Sequence, residues 1–546
     1  MLYHKRFLCS GWLQLQNMAF PVFALLVAVL LLFCRLDDMY LWQDEAETAI
    51  VARHLLSYGL PLASDGKDWV QQADEPFVEF RDNYVWIFHS WVQYTATALS
   101  FALLGPTTFA ARLPFVLVGL ATYVFFYSFV VRWLKDRRTA QIATVLLLFC
   151  VPFILHLRQC RYYALVAFAT LVILDAYLHM RAEKRWAVPY FILAAVLLYH
   201  SHYGAFFPTV AALSIPLFLS RAKRQVLYRF LFALGLIMVL VLPWAYFMRV
   251  WNRGQLFLWD RFLAQLGQYL LFITVWIFPL ILMPVLFFAW TRRARNTGFI
   301  LNPTQATFSE AAGSVIFFNI LFLSVFAAYE WVYFRYVLHL VPLLLVLLAI
   351  LVVLVMERWL VLGTVMLVML LVSNALHILP YKLPGIKQIN WQSLWPGSGA
   401  FAALQRVWVV ANHFRSDVLM YTLQLTHTYE GPIEGLVHYL SEHALPGETV
   451  VVNDEELPLM FYTELRVLGG LGHHALFAGI QPDWVIDRKH GHYRDLLARI
   501  VASGSYERIE ILYPDIRWEN RPQPGAHHYL TPRGEDNVVL YRRRRD

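Results

Sequence analysis

Residues 86–104 read WIFHSWVQYTATALSFALL, and whether this stretch crosses a membrane decides how the whole chain is threaded. It is one of twelve apolar runs, near 18–34, 86–104, 112–132, 140–157, 162–180, 187–200, 204–220, 230–248, 268–290, 313–329, 337–356 and 359–378. The 546 residues are 59% hydrophobic and only 15% charged, where a soluble domain carries roughly 25% charge. Apolar runs of about 17–22 residues, repeated along the chain, mark a polytopic α-helical membrane protein.

Basic loops set the threading. Arg132–Arg138, Arg181–Arg185, Arg221–Arg229 and Arg292–Arg295 alternate with loops poorer in Lys and Arg, so all four share one face. The positive-inside rule makes that face cytoplasmic, and Lys5 and Arg6 ask for the same side. If 86–104 spans, the N-terminus falls opposite the basic loops; if it does not, every signal agrees. His89, Gln93 and Thr97 recur every four residues as a polar stripe, which suits an amphipathic helix lying at the interface. The expectation is about eleven spans, with the N-terminus cytoplasmic and the C-terminus external. The first run reads as a retained span, because no small-residue cleavage pattern follows it.

This threading divides the chain into a membrane domain at 1–378, a connector at 379–430 and an external soluble α/β domain at 431–546. The first external loop, 35–111, holds juxtamembrane helices. In the C-terminal part, an amphipathic helix at 433–440, a helix followed by a loop or short strand in ELPLMFYTELRVLGG, and a helix in HYRDLLARIVASG alternate with strand patterns at Thr449–Val452, PDWVIDR, YERIEILY and NVVLYRRR. No glycine-rich phosphate loop lies in a strand–helix context. The four cysteines, Cys9, Cys34, Cys150 and Cys160, all lie in the membrane part, so disulfides do not build the external domain. The net charge of +8 comes mostly from the orienting loops and is no nucleic-acid signature. The tail YRRRRD reads as a frayed, solvated end.

The external face collects Asp44, Glu45 and Glu47, then Arg158–Arg161, His200–Tyr203, Arg249–Arg261 and Glu330–Tyr336. Acids and arginines at one bilayer surface suit a lipid-borne phosphate ester. A carboxylate activates an acceptor, and arginine forks hold phosphate oxygens. Asp44 and Glu45 are the candidates for base and sugar binder. An ordinary alternative is helix capping, with Asp44 and Glu47 opening a helix at 45–57 and Gly59 stopping it. Arg158, Arg161 and Arg335 either grip phosphate or snorkel to headgroups. His200 and His202 suit interfacial hydrogen bonding better than metal ligation, and no metal site is assigned.

The chain resembles the GT-C fold superfamily of membrane glycosyltransferases, in particular bacterial relatives of protein O-mannosyltransferases and of the lipid A aminoarabinose transferase. The matching pieces are WQDEAETAIVARHLLSYG, HSWVQYTATALSFALLGPTTFAARLPFVLVGL, RQCRYYALVAFATL, LLYHSHYGAFFPTVAAL and FRYVLHLVPLLLVLLA, over roughly residues 18–378. The resemblance implies inverting sugar transfer from a polyprenyl-phosphate donor at the non-cytoplasmic face of a bacterial inner membrane. It makes Asp44 the base, Glu45 its neighbour, and Arg161 and Arg335 the ligands of the lipid phosphate. His89 takes the place of the family histidine. Arg158, Tyr163, His202, Tyr203 and Tyr336 complete the expected substrate-binding set. The implied partners are the donor, a lipid, glycan or protein acceptor, and membrane lipid. No cofactor is firmly implied.

Two departures stand out. The family's HPP is HSW at His89–Trp91. The loop after Asp44 carries extra acids, Asp65, Asp68, Asp74, Glu75, Glu79 and Asp82, of which Glu79 and Asp82 are candidates for a second acidic site residue and all fit a solvated loop equally. Two other readings compete: a lipid or glycan transporter or flippase, and a non-catalytic lipid-binding protein on the same fold. Transport favours ionisable groups in mid-membrane and internal repeats, and these spans are poor in both.

Overall fold

The computed structural model describes residues 19–71, 79–219, 223–253, 259–297, 302–326, 332–382, 413–470, 480–517 and 519–544. The chain runs through α1 (Ala19–Phe33), α2 (Gln43–Tyr58), α3 (Val92–Leu104), α4 (Thr108–Leu134), α5 (Arg137–Leu148), α6 (Val151–Leu157), α7 (Tyr163–Arg181) and α8 (Ala187–Ser201). It continues through α9 (Tyr203–Leu219), α10 (Arg224–Phe247), α11 (Trp259–Trp276), α12 (Met283–Thr297), α13 (Pro303–Phe326), α14 (Val341–Arg358), α15 (Leu360–Val372) and α16 (Ala375–Lys382).

Among the described residues, five helices are individually long and apolar enough to cross a bilayer: α4, α7, α10, α13 and the one at 338–358. Two further pairs qualify as bent spans, α5 with α6 at 67° and α11 with α12 at 82°. The other four expected spans are the shorter apolar helices α1, α8, α9 and α15. The first bend sits where Pro152 enters the opening turn of α6, a position at which its missing N–H costs nothing. Burial ranks the helices. In α7 and in 338–358, 89% of the apolar window is buried, against 28% in α10. The first two are therefore central, and α10 offers Tyr228, Phe232 and Val239 outward.

α3 turns Gln93, Thr97 and Ser100 inward and leaves Leu99, Leu103 and Leu104 exposed. Its polar stripe thus packs against protein. Its 13 residues span about 20 Å, less than the ~30 Å hydrocarbon core. α2 ends at Gly59, which adopts φ 73° and returns its N–H to the carbonyl of Leu55. Such a left-handed stop is nearly free for glycine.

After α16 the described chain resumes with α17 (Asp417–Thr426) and α18 (Pro432–His443), and the rest of the 379–430 connector lies outside the described residues. A small sheet follows, with β1 (Thr449–Val452), α19 (Glu456–Tyr462), β2 (Arg466–Leu468), β3 (Trp484–Ile486), α20 (Arg494–Ser503), β4 (Tyr506–Pro514) and β5 (Asn537–Arg543). The strand order is β2-β1-β3-β5-β4, parallel across β2, β1 and β3 and antiparallel at β5 and β4. Arg488, past the end of β3, pins the sheet. Its Nε donates to Asp515 at 2.7 Å, Nη2 to the carbonyl of Ile516 at 2.6 Å, and Nη1 to Glu455.

The sheet domain docks on α2 through α19. The Tyr462 hydroxyl accepts from the N–H of Leu41 at 3.0 Å and bonds Thr108 at 2.6 Å. Gln43 donates to Glu456 at 2.6 Å, and Arg53 donates to the carbonyls of Met460 and Phe461, each at 3.3 Å. These bonds hold the start of α2, where the acids are, against a second folded layer.

Two carboxyls near this seam are strongly displaced. Burial, with Glu455 adding repulsion, pushes Glu519 up to about 8, and burial pushes Glu456 up to about 7. Both lie above the ordinary carboxyl value, so folding takes up protons. The associated stability is present at acid pH and is lost as pH rises through about 7–8. Thermal unfolding of the full chain should therefore shift down between about pH 5 and pH 8.5, and Glu519→Gln should flatten that slope. An unchanged slope in the variant would remove Glu519 from the linkage.

Candidate active site

The first turn of α2 carries Asp44, Glu45 and Glu47, and each takes a different arginine from a remote element. A helix turns about 100° per residue, so positions 44, 45 and 47 fan to three directions. Glu45 faces α4, where Arg112 binds it through two parallel bonds, Nε at 2.8 Å and Nη2 at 2.7 Å. The backbone N–H of Cys160 adds a bond at 2.7 Å. Arg112 also donates to the carbonyls of Leu36, Met39 and Tyr40, which fixes the turn between α1 and α2. Glu47 receives Arg161 at 2.5 and 3.0 Å and the Tyr94 hydroxyl at 3.1 Å. Asp44 receives Arg335, whose Nη1 donates to its Oδ2.

Arg161 ties the cluster together. Beyond Glu47 it donates to the Asp44 carbonyl at 2.9 Å and to Nε2 of His89 at 2.8 Å. Arginine cannot accept, so His89 accepts there and carries its proton on Nδ1. Arg335 also donates to the Tyr163 hydroxyl at 3.3 Å and lies against the rings of Tyr333, 4.3 Å away, and Tyr336, 5.5 Å away. From the C-terminal domain, Arg521 stacks on the same Tyr333 ring at 4.9 Å and on Trp42 at 5.7 Å. The Nε atoms of Arg161 and Arg335 are buried and have no hydrogen-bond partner among the described residues.

Burial raises the Asp44 carboxyl, but the charges of Arg335, Arg161 and Arg521 outweigh it and hold the group below its ordinary value. For Glu47, burial wins over the pull of Arg161 and lifts the group. Three carboxylates already matched by three guanidiniums make a donor set suited to anions and ill suited to a divalent cation. Beside Arg335 opens a small pocket walled by Tyr162, Tyr163, His202, Tyr336 and His339. Tyr162 stacks on His202 at 4.6 Å, and His202 on Tyr203 at 5.6 Å.

The structure thus brings Asp44, His89, Arg161, Tyr163, His202, Tyr203, Arg335 and Tyr336 into one contiguous group. Glu45 sits beside it but is wholly buried, with its oxygens filled by Arg112 and Cys160. Arg158 points elsewhere, donating to the carbonyls of Leu31 and Arg35 and to the Tyr421 hydroxyl. It joins the end of α1 to α17. Glu79 is buried in a turn of the first loop and Asp82 is exposed in the next; Asp74 and Glu75 lie outside the described residues. The capping alternative fails: α2 starts at Gln43, its cap residue is Trp42, no side chain caps it, and Asp44 lies inside the first turn.

Arg112, Tyr94 and Arg521 are members that the sequence reading did not single out. A lone arginine near the start of the apolar run at 108–134 was a signal for Arg112, since an ionisable group there needs a partner. Nothing local marks Arg521, which reaches the cluster only through the docking of the sheet domain.

No family model and no curated protein matches the chain. Two solved structures of ArnT from Cupriavidus metallidurans do, one bound to undecaprenyl phosphate and one in the apo state. Both are 15% identical with a TM-score of 0.53, and the alignments cover 97% and 98% of this chain and 98% of each structure. The chain therefore has the GT-C fold of the lipid A aminoarabinose transferase, with a small sheet domain at its C-terminal end.

Proposed function

We propose that the protein is a glycosyltransferase that moves a sugar from a polyprenyl-phosphate donor to an acceptor at the periplasmic face of a bacterial inner membrane, with its N-terminus in the cytoplasm. The carrying observation is the Asp44–Arg335 pair at the edge of the aromatic cavity. Two unpartnered guanidinium donors, on Arg161 and Arg335, support it. The donor's phosphodiester takes the Arg335 fork and the unpartnered Nε donors, which frees the Asp44 carboxylate. With one positive neighbour turned to phosphate, burial raises the basicity of Asp44.

Asp44 then removes the acceptor's proton as the acceptor attacks the anomeric carbon from the face opposite the phosphate. The carbon–oxygen bond to phosphate breaks, and polyprenyl phosphate leaves with its added charge held by Arg335 and Arg161. Configuration inverts in a single displacement. His89, Tyr163, His202, Tyr203 and Tyr336 line the donor's path. Glu45, closed by Arg112, sets the geometry of the turn.

Mass spectrometry of envelope glycans from a deletion strain identifies the transferred group, and turnover of that donor by purified protein tests the mechanism. Asp44→Asn and Arg335→Lys should each lower kcat about 10²–10³-fold with folded protein retained. Unchanged turnover in Asp44→Asn would remove the base. Glu45→Gln should act differently, since it leaves Arg112 buried and half-matched. A loss of about 3–5 kcal/mol of stability is expected, read as a lower unfolding temperature. Topology reporters fused after Arg138, Arg224 and Arg295 should behave as cytoplasmic; activity of an outside-only reporter at these sites would reverse the orientation.

A further inference from the structure

At the far end of α2 lies a second cluster that the proposed reaction does not use. His54, in the last turn, is 1% exposed. Its Nδ1 lies 2.8 Å from the carbonyl of Leu62. A carbonyl only accepts, so Nδ1 carries a proton, and in the neutral ring Nε2 turns a bare lone pair outward. That lone pair faces Oδ2 of Asp65 at 3.5 Å, and Nε2 is buried without a hydrogen bond. With His54 neutral, two electron-rich atoms face each other there, an arrangement that a cation between them would relieve.

Asp68 completes the group. Its Oδ2 accepts from Arg53 at 2.6 Å, while its Oδ1 is buried with no partner, in a residue only 2% exposed. The other oxygen of Asp65 is engaged by the backbone N–H groups of Lys67, at 3.0 Å, and Asp68, at 2.9 Å, which aims Oδ2 inward. One donor atom from each of His54, Asp65 and Asp68 lies within 4.8 Å of the others.

We infer that His54, Asp65 and Asp68 form a binding site for a divalent transition-metal cation of the zinc class. One imidazole nitrogen and two carboxylate oxygens, with water as a fourth ligand, are a normal zinc donor set. Ligand bonds of about 2.0–2.1 Å in a tetrahedron put neighbouring donors roughly 3.3–3.5 Å apart, which fits the His54–Asp65 separation. The supporting contacts are those that zinc ligands ordinarily receive: a backbone carbonyl orients the histidine and an arginine orients a carboxylate. The two carboxylates against Arg53 leave one net negative charge for the cation. Bound there, the metal fastens the loop at 60–70 to the end of the helix that begins with Asp44. The competing explanation is a doubly protonated His54 that pairs with Asp65 and binds no metal.

The test uses full-length protein in detergent, stripped with a chelator and titrated with zinc, alongside Asp65→Asn and Asp68→Asn. Asn at position 65 keeps an oxygen that can accept from the N–H groups of Lys67 and Asp68, so this variant preserves the loop's backbone bonds. Wild type should take up one tight equivalent and rise in unfolding temperature. Each variant should bind that equivalent at least tenfold more weakly and lose the rise. Equal titrations in wild type and Asp65→Asn, or no zinc-dependent shift in wild type, would overturn the site. Neither result bears on sugar transfer.

Discussion

The turn from α1 into α2 depends on one interaction, the paired bonds of Arg112 on Glu45. Three further N–H bonds of Arg112 capture the carbonyls of Leu36, Met39 and Tyr40, so one guanidinium organises the turn where the chain leaves the first apolar helix. Both charges are buried. Taking them out of water is costly, and only near-complete pairing offsets it. With Glu45 fixed, the helical turn directs Asp44 and Glu47 toward Arg335 and Arg161. Position on one rigid turn replaces separate positioning of each acid.

The three pairs differ in how freely they can open. Glu45 and Glu47 are closed by two bonds from one arginine each and by extra donors from Cys160 and Tyr94. Asp44 is held by Arg335 and keeps some exposure, 11% of its side chain. Arg335 sits among aromatic rings, which attract a guanidinium without fixing its direction as a carboxylate fork does. The pair beside the pocket is thus the least firmly closed of the three. Arg521 adds positive charge from a separate folded layer, so the sheet domain contributes to the electrostatics around Asp44.

Much of this was legible along the chain and some was not. The polytopic class followed from hydropathy. The helices and strands of the sheet domain followed from periodicity, since amphipathic and alternating patterns are local. The candidates Asp44, Arg161 and Arg335 could be named because charges at helix ends are conspicuous in so apolar a chain. What could not be read was pairing. Glu45 and Glu47 look alike in sequence, yet Arg112 and Arg161 reach them from 67 and 114 residues away. Arg158 and Arg161 are neighbours, but the turn between α6 and α7 sends one to α17 and the other to α2. The bends within α5–α6 and α11–α12, which divide one apolar run into two helices, were not legible either.

The separations in sequence also impose an order on biosynthesis. Asp44 leaves the ribosome before Arg335, which follows 291 residues later. At about 5–20 residues per second that interval is roughly 15–60 s. During it Asp44 must stay hydrated at the membrane surface while later helices insert. Arg521 is synthesised later still, so the nascent chain acquires that charge only after Arg335 has already emerged.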